Sequence, residues 1–166
     1  MQTLEATIGT TSSRPPVVVR RATALWAVAV GSGIVETLLV VVPLTTTGGM
    51  DAGLWAGLAI RAVVYTVAAL LVVAYRRRRR YARTALTVLL SGVGLASMVV
   101  PAVAALAAGA GFLDAVGSGG VLAPAFAVVR VAHVAAVVAA TVTMFLPGAS
   151  AWYRGAPVSP RARTAA

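Results

Sequence analysis

The chain of 166 residues contains no cysteine, a single histidine, four acidic residues and no lysine, since all fourteen of its basic residues are arginine. Without cysteine there are no disulfides, thiolate metal sites, iron–sulfur clusters or cysteine nucleophiles. One histidine, His133, does not supply both axial ligands of a bis-histidine haem. Gly-x-Ser-x-Gly elbows, His-Glu-x-x-His helices and phosphate-binding glycine loops are also missing. Two of the four acids fall in loops and one in the N-terminal tail, so the side chains that acid–base chemistry needs are scarce. A non-enzymatic protein without metal or other cofactor is the expectation. Charged residues make up only 11% of the chain, against about a quarter in soluble domains.

What is abundant is apolar surface. Hydrophobic residues account for 60% of the chain, and the mean hydropathy is +0.92. The lipid bilayer is therefore the solvent to reason about. Four apolar stretches reach the roughly 20 residues of a transmembrane helix: Ala22 to Leu44, Ala52 to Tyr75, Ala85 to Ala107, and Val121 to Leu146. Backbone polar groups must be paired inside hydrocarbon, so these valine-rich stretches are expected as helices despite their strand propensity in water. The connections between them are short, which makes sequential helices antiparallel neighbours. The expected fold is an all-α, up-down bundle of four membrane-spanning helices over 22–146. The polar, proline-containing ends, 1–21 and 147–166, are expected as disordered tails.

The arginines set the expected topology. Arg14, Arg20 and Arg21 precede the first span, Arg76 to Arg80 with Arg83 lie between the second and third, and Arg154, Arg161 and Arg163 follow the fourth. The other two loops carry only Asp51 and Asp114. By the positive-inside rule both termini and the basic loop face the cytoplasm of a plasma-membrane protein. Trp26, Tyr75, Tyr81, Trp152 and Tyr153 fall near that interface and Trp55 near the opposite one, where aromatic side chains anchor helices. The first apolar run is longer than a cleavable signal and has no small-residue cleavage pattern. Arg20-Arg21 lacks the continuation of a twin-arginine signal.

Three charged residues lie within spans. With a rise of about 1.5 Å per residue, Glu36 is roughly 12 Å from the outer end of its span, and Arg61 and Arg130 are each roughly 14 Å from the outer start of theirs. They share one layer. His133 follows Arg130 at i+3 on the same helix face, and a hydrogen-bonding or packing role is expected for it. In an up-down bundle the first helix neighbours both the second and the fourth, so Glu36 is within reach of Arg61 on one side and Arg130 on the other. An isolated charge at this depth costs at least about 2.5 to 3.5 kcal/mol, so pairing of Glu36 with Arg61 is expected. Arg130 either joins them or, if the fourth helix starts at Pro124, reaches the headgroups from a depth of about 9 Å. One carboxylate facing two guanidiniums leaves a positive charge to be met by water, backbone carbonyls, a lipid phosphate, a small anionic solute or an acidic partner residue. Glu36, Arg61, Arg130 and His133 thus form a candidate ligand-binding cluster.

Gly53 and Gly57 form a small-xxx-small repeat that Arg61 and Tyr65 continue at i+4, while Ser32 and Gly33 lie one turn before Glu36. Such residues let helix backbones approach closely, within the chain or in a homo-oligomer. Pro101 is expected to bend the third helix near its outer end. Arg76, Arg77, Arg78, Arg79, Arg80 and Arg83 form a candidate site for anionic lipid headgroups, worth about 1 kcal/mol per residue, and also suffice as a topological anchor. A loop of this length has no groove-reading element or stacking platform, so nucleic acid is not an expected partner. Membrane lipids are, with a membrane-protein partner or a second copy of the chain beside them.

The stretch Tyr81-Ala82-Arg83-Thr84-Ala85-Leu86 behind the arginine run, and Phe145-Leu146-Pro147 followed by Trp152-Tyr153-Arg154, resemble the small four-span membrane proteins of actinobacteria. That resemblance implies the architecture and no activity. The span count and the glutamate in the first span are similar to the small multidrug-resistance transporters. The chain departs from them in its greater length, in a glutamate placed opposite arginines, and in a charge asymmetry that dual-topology insertion does not tolerate. An accessory, scaffold or assembly component of the membrane is the favoured role. A small transporter or binding protein for an anionic solute or lipid is the alternative.

Overall fold

The computed structural model describes residues 15–47, 49, 51–116 and 121–154. Among the described residues the regular structure is all helical, with no strand. The elements are α1 (Val17–Thr47), α2 (Ala52–Arg76), α3 (Arg80–Leu86), a π-helical stretch (Thr87–Gly94), α4 (Leu95–Ala107), α5 (Phe112–Val116), α6 (Ala123–Phe145) and α7 (Pro147–Arg154). α3, the π-helical stretch and α4 run on without a break, so four helices are long and apolar enough to cross a membrane. α1 packs against both α2 and α6, and the π-helical stretch and α5 pack against α6.

The contact between α1 and α6 follows from residue spacing. On α1 the buried positions are Val19, Ala22, Trp26, Ala29, Gly33 and Glu36, separated alternately by three and four residues. On α6, Phe126, Arg130, His133, Val137, Ala140 and Met144 repeat the same spacing, each buried or half-buried. That repeat keeps one narrow stripe of each helix facing its partner, as in a coiled-coil seam. Small residues, Ala22, Ala29, Gly33 and Ala140, alternate there with large ones such as Trp26, Phe126 and Met144, and the small positions let the backbones approach. Outside the seam large apolar side chains face outward on every span; Leu70, Val93 and Val128 are 64%, 63% and 69% exposed. In water such a belt is an aggregation surface, whereas in hydrocarbon it is matched to its solvent.

The helix ends differ from the sequence expectation. α1 begins at Val17, five residues before the apolar run, so Arg20 and Arg21 are helical and only residues 15 and 16 of the expected N-terminal tail are described ahead of it. The nine-residue basic loop expected over 76–84 contracts to a tight turn. Arg76 ends α2, Arg80 starts α3, and Arg78 takes a left-handed backbone conformation at φ 59°. Its N–H donates to the Tyr75 carbonyl and the Arg79 N–H to the Ala74 carbonyl, a Schellman closure in which glycine is the usual residue. Gly109, at φ 87°, closes α4 in the same way, its N–H donating to the Leu106 carbonyl and the Ala110 N–H to the Ala105 carbonyl. At the other side of the bundle Asp51 caps α2, its carboxylate accepting from the Leu54 N–H at 2.7 Å.

Residues 147–154, expected as part of a disordered tail, form the short helix α7 instead. Proline at the first helical position suits the start of this segment, and Ala149, Trp152 and Tyr153 turn inward from it. α7 closes the arginine-rich end of the bundle. Trp26 and Tyr75 are fully buried, and Trp152 and Tyr153 nearly so, so four of the aromatics expected as interfacial anchors are packing residues; Tyr81 and Trp55 remain exposed. The Tyr153 hydroxyl donates to the Tyr75 carbonyl, and the two rings lie 5.4 Å apart. Arg78 stacks over Trp152 with its guanidinium carbon 3.4 Å from the ring centre. Arg83 points into this end, where its Nη2 donates to the Met144 carbonyl at 2.8 Å and to Ser150 Oγ at 3.3 Å. Met144 belongs to the last turn of α6, whose carbonyls lack helical partners and carry the negative end of the helix dipole. Arg83 is thereby set apart from the other loop arginines; Arg76, Arg77, Arg79 and Arg80 are exposed.

Burial and the neighbouring Tyr75 push the Tyr153 phenol well above the ordinary tyrosine range. A proton bound more tightly in the folded state gives stability that is complete below about pH 10 and is lost as pH rises beyond it. Tyr153→Phe therefore has two expected effects in thermal unfolding: a loss of about 1 kcal/mol at neutral pH from the missing hydrogen bond, and a shallower decline above pH 10 than the unsubstituted chain shows.

Candidate functional site

Polar side chains converge where α1, α2 and α6 meet. Gly33 makes the approach of the other two helices possible. A Cβ at this position would stand 2.9 Å from Tyr65 Cε1 and 3.1 Å from His133 Cε1, so side chains of α2 and α6 both rest on its bare backbone. The Tyr65 hydroxyl donates to the Gly33 carbonyl at 2.7 Å and shares a 2.9 Å hydrogen bond with Thr37 Oγ1. The Gly53–Gly57 repeat is not the close contact between these helices. A Cβ on Gly57 meets nothing within 4 Å, and one on Gly53 meets only the capping Asp51.

One turn beyond Gly33, Glu36 projects from the seam with its side chain 11% exposed. Its Oε2 lies 3.8 Å from Arg130 Nη2 and its Oε1 lies 3.8 Å from His133 Nδ1. The first is an ion-pair distance, the second a polar approach that is an ion pair only when His133 is protonated, and both are too long for direct hydrogen bonds. Arg130 also lies over the Phe126 ring, 4.7 Å from its centre, an orientation that favours a cation in a low-dielectric setting.

The expected partner of Glu36 is thus replaced. Arg61 does not come within ion-pair distance of Glu36; Arg130 takes that place, with His133 beside it. The reason lies in the helix pairing. Glu36 falls in the stripe that α1 turns to α6, whereas Arg61 is on an exposed position of α2 at the edge of the contact. α6 does begin close to Pro124, with Leu122 at its cap, which puts Arg130 only about 10 Å from the helix start. Even at that depth its guanidinium turns inward to the carboxylate. Arg61 returns as a wall of the site: with Glu36, Thr37, Val40, Tyr65, Phe126 and Arg130 it lines a cleft of about 50 Å³. A water needs roughly 10 to 15 Å³ by the same measure, so the cleft has room for a few waters or one small anion. Its lining holds one carboxylate and two guanidiniums.

Tyr65, Thr37 and Gly33 complete the site, yet only their membership of small or i+4 stripes marks them in the sequence. The three-and-four spacing of buried positions on α1 and α6 is the signal that pairs Glu36 with Arg130 over Arg61. Among the described residues no group of three or more His, Cys, Asp or Glu side chains is placed to hold a metal ion. The third span meets α6 through a separate polar contact, Ser91 Oγ to Thr141 Oγ1 at 2.6 Å, from within the π-helical stretch. Compared with protein-family models, curated proteins and solved structures, the chain finds no match in any of the three.

Because two helices rest on Gly33, Gly33→Ala is expected to destabilise the fold by about 1 to 3 kcal/mol, the range for overpacking a closed contact. Thermal unfolding in detergent checks this. Gly57→Ala, where the space is open, is the control and should leave the midpoint unchanged or slightly raised, since alanine is the better helix former.

Proposed function

We propose that the chain is a plasma-membrane protein with both termini and the arginine turn in the cytoplasm, serving as a non-enzymatic accessory, scaffold or assembly component. The observation that supports this reading is how the intramembrane polar groups are used. Glu36, Arg130, His133, Tyr65 and Thr37 meet one another or a neighbouring backbone at helix contacts, and the cleft that Glu36 and Arg61 share is only about 50 Å³. Contacts of this kind hold helices in register, while Glu36 Oε1, Arg130 Nε and His133 Nδ1 stay buried without a hydrogen-bond partner. The broad apolar belt then supplies lateral surface for another membrane protein or a second copy of the chain. The arginine asymmetry supports the orientation.

A second reading rests on Arg61. Its guanidinium borders the cleft without an ion pair to Glu36, so the site carries an excess positive charge that suits a small anion or a lipid phosphate. In this reading the chain is a small transporter or binding protein for such a group.

Purification in mild detergent, with quantitative identification of what remains bound, separates the two. The scaffold reading expects a membrane protein or a second copy in fixed stoichiometry, unaffected by Arg61→Gln. A solitary chain carrying an anion or lipid that Arg61→Gln releases would replace it with the second reading.

A further inference from the structure

At the arginine-rich end a groove of about 570 Å³ is lined by Val17, Arg20, Arg21, Thr23, Ala24 and Ala27 of α1 and by Arg76 of α2. Val17, Arg20, Arg21, Ala24 and Ala27 are spaced so that they share one side of α1. That side is arranged by depth. Arg20, Arg21 and Arg76 line it at the end of the span, and Ala24 and Ala27 line it up to roughly 10 Å farther along α1. Thr23 adds little polarity, since its hydroxyl already donates to the Val19 carbonyl at 2.8 Å. No acidic residue lines the groove.

Arg20 and Arg21 stand in the first turns of α1, where the helix dipole is positive. Cations are disfavoured at that end, and a bound anion reverses the sign. Arg76 joins them from the last turn of α2. Three guanidiniums and a helix N-terminus thus point to a phosphate. The remaining volume and the apolar lining at Ala24 and Ala27 have no use for a bare one and fit the glycerol and upper acyl chain of a lipid.

We infer that this groove binds an anionic phospholipid, its phosphate among Arg20, Arg21 and Arg76 and an acyl chain over Ala24 and Ala27. The site is distinct from the arginine turn as a whole. Arg77, Arg79 and Arg80 lie outside it, and Arg83 is taken up by the end of α6.

The test is native mass spectrometry of the full chain released from nanodiscs of mixed phosphatidylcholine and phosphatidylglycerol. The chain is expected to retain phosphatidylglycerol selectively. Arg20→Gln/Arg21→Gln/Arg76→Gln should lower that retention by on the order of 100-fold, from about fivefold for each guanidinium. The charge-matched Arg77→Gln/Arg79→Gln/Arg80→Gln should keep it. Ala27→Phe fills the apolar part of the groove, leaves every arginine in place and should release the lipid. Excess inorganic phosphate should not displace the lipid from the unsubstituted chain. Equal losses from both triple variants would mean a diffuse electrostatic surface and overturn the inference. Retention by Ala27→Phe together with displacement by phosphate would assign the groove to a soluble anion and overturn it equally. Should the first triple variant lose its helical circular dichroism, Ala27→Phe and the phosphate competition decide the matter; absence of lipid selectivity in the unsubstituted chain is a further contradiction.

Discussion

A carboxylate within an apolar span has to meet a cation, and the meeting of Glu36 with Arg130 and His133 is the constraint on which the rest of the bundle depends. The seam between α1 and α6 alternates alanine, valine and glycine with a few large apolar side chains, Trp26, Phe126 and Met144, and its apolar contacts carry no charge to be stranded if one helix slides by a turn. Sliding the charged layer is different. It would leave Glu36 against an apolar wall and Arg130 without its carboxylate, at a cost of at least about 2.5 kcal/mol for each stranded charge. A polar residue in an otherwise apolar seam is the device that coiled coils use to choose one register. Here the bare backbone of Gly33 works with it. His133 and Tyr65 rest on that backbone one turn from the ion pair, so shape and charge select the same alignment.

The arginine-rich end shows a second use of positive charge. Arg83 satisfies a carbonyl at the end of α6, and Arg78 covers Trp152 while holding a left-handed turn that glycine would hold without strain. These two arginines are structural parts of a closed end, together with the Tyr153 bond to Tyr75 and the burial of Trp26. Of those left outside, Arg20, Arg21 and Arg76 line a groove that holds no acidic residue. The bundle is thus held by polar contacts at two levels, one within the span and one at its end, with a nearly featureless apolar belt between them. That division fits a protein whose outer surface does the work and whose interior is for stability.

Much of this is legible in the sequence, and the parts that are not share a physical cause. Span number and the single layer of Glu36, Arg61 and Arg130 follow from hydropathy and helical rise alone. Helix ends do not, because hydropathy stops at the first arginine whereas a helix continues as long as its backbone bonds do; hence α1 starts at Val17 and the basic loop shrinks to a turn. Residues 147–154 read as tail because they are polar on average. As a helix, their few apolar side chains gather on one face and dock. Trp152 and Tyr153 read as anchors for the same reason, since composition does not say which way a ring points. The choice between Arg61 and Arg130 turned on azimuth rather than depth. The three-and-four spacing from Val19 to Glu36, matched from Phe126 to Met144, carries that information for a reader who looks for a seam before looking for charges.

The central claim is that Glu36 and Arg130 hold α1 and α6 in register, and a charge reversal tests it most directly. Glu36→Arg and Arg130→Glu are each expected to lower folded yield and the thermal midpoint in detergent, since each places two like charges together within the seam. The double variant Glu36→Arg/Arg130→Glu is expected to recover most of both, and Glu36→Arg/Arg61→Glu to recover little. A double reversal at 36 and 130 no more stable than its worse single variant, or recovery through position 61 instead, would contradict the account.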